Sequence, residues 1–495
     1  MFAMRDGRTI LTTMSDAIDT SPQAVTRPTG NSKARIIVSS LVGTTIEFYD
    51  FYVYATAAIS VFPLLFFHSK TSTGALLASL ATFGVAFVAR PVGSVVFGHF
   101  GDRVGRKATL VASLLTMGVA TVIIGMLPTY AQIGVWAPAM LAIMRFCQGM
   151  GLGGEWSGAS LLAGENAREG KRGFDSMWPQ LGAPIGFLLA NGFFLFLTVS
   201  MNYDSTSATT NHTFLVWGWR LPFLFSAVIV ALGLYVRFKL QETPAFEISK
   251  SRGQVVKSPV ATAFRTSWRQ IIQGTFLMLA TYTLFYLMTT WILSYAIGKT
   301  SAGFLGIGYR KFLIVQLITI CAFAVTIPLS GWLGDKVGRK LFLTTTTAAI
   351  MVFGLTFAFF LDPARVGTGD SADIARIVVF MLIGMALMGL TFGIQSALLP
   401  ELFPTNVRYT GSAIAYNVAS ILGAAVAPFI ATWLATTYGP GWVGIYLLAM
   451  GALTLIACLT IPETRNRDLV TIGEASDAEV AGSAAEREPE MAGSH

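Results

Sequence analysis

Two acids and two arginines stand in this chain where water has little access. Glu47, Asp50 and Tyr54 follow an i, i+3, i+7 pattern inside the apolar stretch 36–66, so a helix there puts all three on one face. Arg90 precedes Pro91 in a second apolar stretch, and Arg145 lies about twelve residues into a fourth, 134–158. A charge at bilayer depth costs ~2.5–3.5 kcal/mol even on the milder scales. Such groups therefore need partners, a cavity, or a way to lose charge. A carboxyl held away from water can trade its charge for a proton; Asp50 is the first candidate to carry one and Glu47 the second. The plainer alternative is a fixed ion pair between helices, joining Arg145 to Asp50 or Glu47 at matching depth. A guanidinium cannot shed its proton, so Arg90 and Arg145 each require an anion or water, and an organic carboxylate is one such anion.

The candidate substrate-lining set is Arg90, Arg145, Tyr54, Gln148, Gln180, Asn191, Tyr286 and Gln395. Gln148 shares the helix face of Arg145. Tyr282, Gln316, Tyr416 and Asn417 also interrupt apolar stretches. For each of these polar residues the competing reading is an ordinary hydrogen bond between helices.

Composition says what must position them. Of 495 residues, 54% are hydrophobic and only 12% charged, about half the share of a soluble domain, and the mean hydropathy is +0.63. A chain that apolar cannot keep a solvated surface, so it is an integral membrane protein. The apolar runs are continuous rather than alternating, which selects helices over a β-barrel. Twelve spans are expected, near 36–66, 75–98, 108–127, 134–158, 174–199 and 214–236, then 271–297, 306–333, 341–361, 375–400, 411–436 and 441–461. The fold class is thus all-α, with twelve transmembrane helices in two six-helix halves, 36–236 and 271–461. A polar linker, 237–270, joins them. Residues 1–35 and 462–495 read as disordered tails, and the first of these has no apolar core for a cleaved signal peptide. Cys147, Cys321 and Cys458 lie in separate stretches without disulfide or metal spacing.

Lys and Arg set the orientation. With both termini in the cytoplasm, 25 basic residues fall inside and seven outside, leaving only Arg90 and Arg145 within spans. A repeat supports the division into halves: residues 98–107 read GHFGDRVGRK and 331–340 read GWLGDKVGRK, seven identities in ten at an offset of 233. Both copies join the second and third spans of their half. Two parallel six-helix halves are a transporter architecture. In such a turn the glycines allow close backbone approach, the aspartate accepts from a helix start, and the basic residues meet carboxylates or lipid phosphates.

This loop resembles the signature of the major facilitator superfamily. Four further stretches are similar to its metabolite–proton symporter branch: Ile46-Glu47-Phe48-Tyr49-Asp50-Phe51; Arg90-Pro91-Val92-Gly93; Arg145-x-x-Gln148-Gly149 running into Gly153-Gly154-Glu155-Trp156; and Glu401-Leu402-Phe403-Pro404-Thr405-x-x-Arg408-Tyr409-Thr410-Gly411. Phe48 replaces a more usual Trp, and Ser157 a more usual Gly. The resemblance spans roughly 36–465 and implies the major facilitator fold. It also implies a gating set: Gly98, Asp102, Arg103, Gly105, Arg106, Glu155, Asp335, Gly338, Arg339, Glu401 and Arg408. The glycines at 149, 151, 153 and 154 read as a close helix contact, not a nucleotide loop, since no strand precedes them.

The function expected is proton-coupled uptake of a small organic anion or zwitterion, such as a shikimate-like acid or a dicarboxylate, by a monomer in the cell membrane. The partners are substrate, proton and lipid. No nucleic acid, cofactor or metal is expected. The four histidines lie at loops or ends, which leaves an intramembrane enzyme without a Ser/His pair. No GxxxxGK[ST] loop exists to hold ATP. A proline/betaine symporter and an export antiporter of the same fold are the alternatives, because fold does not fix direction.

Overall fold

The computed structural model describes residues 33–465 apart from 105, 154, 166, 169, 204–211, 239–258, 405 and 406. The regular structure among them is entirely helical. Twelve principal helices follow the expected spans. The first half holds α1 Lys33–Ser60, α2 Ser72–Val104, α3 Arg106–Met126, α4 Trp136–Leu152, α5 Gly182–Ser200 and α6 Arg220–Phe238. The second holds α7 Trp268–Tyr286, α8 Tyr309–Val337, α9 Arg339–Leu355, α10 Ile374–Glu401, α11 Arg408–Ser420 and α12 Pro440–Thr460. Both α7 and α11 pass through a π-helical turn, Leu287–Trp291 and Ile421–Ala425, and then continue as Ile292–Ile297 and Ala427–Tyr438.

Eight helical stretches among the described residues are long and apolar enough to cross a bilayer on composition alone. Of the other expected spans, α1 carries Glu47 and Asp50, and α4 and α9 are 17 residues each, while α3 is apolar over Val111–Met126. In the stretch expected as linker, Pro259–Thr266 is a short helix. The two tails expected to be disordered lie almost wholly outside the described residues.

Glycine sets the closest helix pairs. A β-carbon on Gly93 would collide with the Met150 carbonyl, on Gly149 with Ala86, and on Gly153 with the Arg90 carbonyl. Helices α2 and α4 thereby touch backbone to backbone, the small-residue packing that membrane helices use. In the second half, α8 and α10 meet the same way, with Gly389 against Phe323 and Gly393 against Ile327.

Candidate functional site

Buried charge gathers on the inner faces of α1, α2 and α4. Glu47, Asp50, Arg90 and Arg145 are 3%, 0%, 5% and 0% exposed. The helix face predicted from spacing places the two acids against different neighbours. Glu47 Oε1 lies 3.6 Å from Arg90 Nη2. Asp50 instead accepts from Ser226 Oγ of α6 at 2.5 Å and from Thr121 Oγ1 of α3 at 3.0 Å. The fixed Asp50–Arg145 pair offered by the sequence is thus not formed as a direct contact. A three-bond chain stands in its place: Arg145 Nη1 donates to Gln148 Oε1 (2.5 Å), Gln148 Nε2 to Thr121 Oγ1 (2.8 Å), and Thr121 to Asp50.

Gln148 holds only one side of the Arg145 guanidinium. Its Nε and Nη2 have no hydrogen-bond partner. The plane of the group rests on aromatic rings, with Cζ at 3.9 Å from the Tyr54 centroid, 5.2 Å from Phe83 and 5.5 Å from Phe51. Such cation–π contacts offset part of the cost of burial, but they leave the hydrogen-bonding edge unsatisfied, which is expensive in a dry interior. Tyr54 closes its own account through its hydroxyl, 2.9 Å from Thr82 Oγ1.

The second half supplies a wall rather than charge. Tyr286 packs its ring against Phe51 (5.4 Å), Phe87 (5.4 Å) and Phe83 (5.9 Å), and Phe285 packs against Phe48 (6.0 Å) and Tyr52 (6.2 Å). Tyr282, Tyr286 and Tyr416 lie within electrostatic range of Arg90. Trp156, on the helix Glu155–Glu165, stacks flat on Tyr416 at 3.8 Å and 8°. Its indole N–H donates to Gln180 Oε1 at 2.9 Å, and Gln180 Nε2 donates to the Phe392 carbonyl at 2.9 Å. Asn191 accepts from Thr56 at 2.7 Å, and Gln395 donates to the Leu277 carbonyl at 3.0 Å. Of the expected lining positions, Gln180, Asn191 and Gln395 therefore spend their amides between helices, while Arg90, Arg145, Tyr54, Gln148 and Tyr286 cluster. A cavity of about 570 Å³ lies elsewhere, lined by Leu355, Asp362, Tyr438 and Trp442, and touches none of these residues.

Both ends of the bundle are tied across the halves. At the end bearing the repeated loops, Asp335 accepts from the backbone N–H groups of Gly173 (2.8 Å) and Phe174 (2.9 Å). Beside it, Glu401 meets Arg172 of the first half (3.0 Å), Arg339 Nε (3.0 Å) and the Thr464 hydroxyl (2.6 Å). Gly338 has φ +111°, a conformation that favours glycine, and its N–H closes on Gly334. Arg408 is buried, its Nε donating to the Phe403 carbonyl at 3.2 Å. In the first copy, Gly98, Asp102 and Arg103 fall in α2 and Arg106 opens α3. Their side chains, residue 105 and the Glu155 side chain lie outside the described residues. At the opposite end, Arg310 of α8 donates to the carbonyls of Thr198 and Tyr203, both at 3.3 Å.

Sequence reasoning missed Thr121 and Ser226, because hydroxyls are common in apolar helices and carry no spacing signal. It also missed Arg172, Arg310 and the capping role of Glu463. The Glu463 carboxylate accepts from the N–H groups of Arg339 and Lys340, each at 3.0 Å, and of Thr464 and Arg465, each at 2.9 Å. Partial burial alone pushes its pKa up, but those four donors outweigh it and hold the group below the usual glutamate value. A Glu-Thr pair recurs after the sixth and twelfth spans, Glu242-Thr243 and Glu463-Thr464, and was the available signal.

Two stacked six-helix halves around a buried polar centre define a transporter of the major facilitator fold. The crystal structure of a D-xylose–proton symporter shares that fold with a TM-score of 0.64 at 18% identity, covering 88% of this chain and 99% of that one. The chain matches the description "Sugar (and other) transporter" over residues 36–258 and again over 254–475. It belongs to that family, in the metabolite–proton symporter branch of the superfamily, and is a transporter rather than an enzyme. It is 54% identical over 440 residues to the inner membrane metabolite transport protein YhjE of Escherichia coli (strain K12), covering 89% of this chain and 96% of that protein. The shikimate transporter of the same organism is 35% identical over 91% and 99% of the two chains. The proline/betaine transporter is 31% identical over 88% and 84%.

Proposed function

We propose that the protein carries a small organic anion into the cell together with a proton. It would span the inner membrane with both termini in the cytoplasm, and the halves 36–236 and 271–461 would alternate access about their shared seam. One observation carries this reading: Arg145 presents an unpartnered Nε/Nη2 edge and is linked through Gln148 and Thr121 to the buried carboxylate of Asp50. The side edge of a guanidinium is the fork that a carboxylate fills with two parallel hydrogen bonds.

The same chain gives a mechanism. While Asp50 is ionised, Thr121 donates to it and the local charge is balanced. When Asp50 takes a proton, the Thr121 hydroxyl can turn to the Met117 carbonyl, already 3.0 Å away, and the pocket gains one positive charge. A proton on Glu47 has the same effect on Arg90 by releasing it from its pair. Each protonation makes an anion more welcome, so proton and anion load together and leave together. The relative that transports proline and betaine keeps a zwitterion as the second reading.

Proteoliposomes with and without an inward proton gradient, offered labelled carboxylates and glycine betaine, test it. The expected result is gradient-driven accumulation of a carboxylate that is lost in an Arg90→Gln, Arg145→Gln double variant. Full transport by that variant, or accumulation by both Asp50→Asn and Glu47→Gln, overturns the reading.

A further inference from the structure

We infer that the seam between the halves, at the end bearing the repeated loops, is a binding site for one ordered water molecule. That water joins two serine hydroxyls of the first half to a free helix carbonyl of the second.

Three hydrogen-bonding groups are left over at this seam. Ser160, on the helix Glu155–Glu165, and Ser176, on the short helix Arg172–Ser176, are 1% and 0% exposed. Neither hydroxyl has a hydrogen-bond partner. A serine buried in a helix can bond a carbonyl three or four residues back, as Ser396 does with Gly393 at 2.8 Å; these two do not. The third group is a carbonyl. Pro400 lies inside α10, and a proline has no N–H to give the residue four positions before it. The Ser396 carbonyl therefore lacks the donor that an unbroken helix would supply.

Ser160, Ser176, Ser396 and Pro400 line one cavity of about 10 Å³, with the serine pair on one side of the seam and α10 on the other. Leaving buried polar groups unpaired is costly. Proteins meet that cost with a bound water where the site is polar and has room for it.

Size and charge decide the occupant. About 10–15 Å³ is the least that admits one water, and a buried water makes about two to four hydrogen bonds. Two hydroxyls and a carbonyl supply three. A carboxylate or a phosphate is too large for the space. Arg172 and Arg408 also line it, with Glu401 between them in charge, so a cation would meet more positive charge than negative.

Two direct ties already cross this seam, Asp335 to the Gly173 and Phe174 N–H groups and Glu401 to Arg172. The water adds an indirect third, nearly as good as a direct hydrogen bond. Its consequence for gating rests on the alternating-access reading above: opening this end passes all three groups to bulk solvent.

Two measurements test the site. The first is a density map of the full chain in lipid nanodiscs, at a resolution that shows ordered water. A peak within hydrogen-bond distance of Ser160 Oγ, Ser176 Oγ and the Ser396 carbonyl is expected. With this end closed and water visible elsewhere, no peak there overturns the inference. The second uses the sign of a deletion. Ser160→Ala and Ser176→Ala each remove a group that the water serves, so a single cysteine at the loop end should be labelled roughly fivefold faster, the scale of one net hydrogen bond. A dry cavity gives the opposite sign, because deleting an unpaired buried hydroxyl relieves the closed state. Slower or unchanged labelling therefore overturns the inference. Gly164→Ala keeps both hydroxyls but puts a methyl 3.3 Å from Ser176 Oγ, in the room the water needs, and should speed labelling too; in a dry cavity it would fill space and slow it. The map reads the water whether or not the halves alternate, so a peak without any labelling change sinks the gating consequence and leaves the site standing.

Discussion

The two halves share a scaffold and differ in what it carries. In each, the second and fourth helices touch through glycines, Gly93, Gly149 and Gly153 in one and Gly389 and Gly393 in the other. In each, a Gly-Asp-x-x-Gly-Arg-Lys turn joins the second helix to the third. Yet the charges at mid-membrane depth, Glu47, Asp50, Arg90 and Arg145, all belong to the first half. The buried charges of the second half, Arg339, Glu401 and Arg408, sit at its loop end. At the centre it offers Tyr282, Phe285, Tyr286, Phe392 and Tyr416. The repeat therefore keeps the packing of the scaffold and leaves the interior free to specialise. On the proposed reading, ionic recognition rests with one half and aromatic closure with the other.

Removing charge from the first half should break this division most sharply. Arg145→Gln is expected to lower initial uptake about a hundredfold, the scale of removing one partner from a desolvated charge pair, and Arg145→Lys should not rescue it, because an ammonium lacks the fork. Gln316→Ala in the second half should leave uptake within about threefold, a lost neutral hydrogen bond being worth roughly 1 kcal/mol or less net. Equal losses in the two variants would end the comparison.

Asp50→Asn comes next. It should abolish accumulation against a gradient while counterflow exchange stays measurable, and Thr121→Val should loosen the coupling of proton to substrate without abolishing transport. Measuring the proton-to-substrate ratio in vesicles checks both; unchanged ratios would separate Asp50 from the coupling.

The repeated turns allow a sharper test of equivalence. Asp335→Asn leaves one acceptor oxygen and turns an NH2 towards the other N–H of the Gly173 and Phe174 pair, and should favour molecules open at the loop end. Asp102→Asn, at the matching place in the first copy, should shift the population the same way. Single cysteines at the two ends, labelled from each side, report it, and an opposite shift in either variant counts against paired latches.

The smallest effect belongs to Glu463→Gln. Because four N–H groups hold this carboxylate below the usual glutamate value, its contribution is fully present above the unfolded value near 4.5 and is lost as pH falls through the lower folded one. The variant should be slightly less stable at pH 7, by less than about 1 kcal/mol for an exposed helix-end charge, and the difference should shrink at pH 4, below the unfolded value. A thermal melt at the two pH values decides.

Much of this was legible beforehand, for physical reasons that can be named. Ionisable groups are so costly in hydrocarbon that Glu47, Asp50, Arg90 and Arg145 mark themselves, and two copies of a ten-residue turn declare two halves. The partners of those groups were not legible. Asp50 took Ser226 and Thr121 rather than Arg145, since a hydroxyl in an apolar helix looks the same whether it bonds its own backbone or a distant acid. Spacing put Glu47 and Asp50 on one face, but 100° per residue leaves two residues three apart some 60° from each other, enough to address different neighbours. The aromatic seam was hidden by abundance: with 36 phenylalanines in the chain, no single one announces that it faces the other half. Gln180, Asn191 and Gln395 were visible as polar residues, but their bonds between helices were not.

Glu401 shows what the loop-end network implies for motion. Of its three partners, Arg339 and Thr464 lie on its own side of the seam, and only Arg172 lies across it. If the halves part at this end, as the proposed alternating access requires, Arg172, already 24% exposed, goes into water with the first half. The carboxylate, 1% exposed, keeps a cation and a hydroxyl. Opening thus severs one half-hydrated bond and strands no bare ion. A gate built this way is a clasp with a permanent half and a detachable half, in which neither leaf is left a bare ion by the loss of the other.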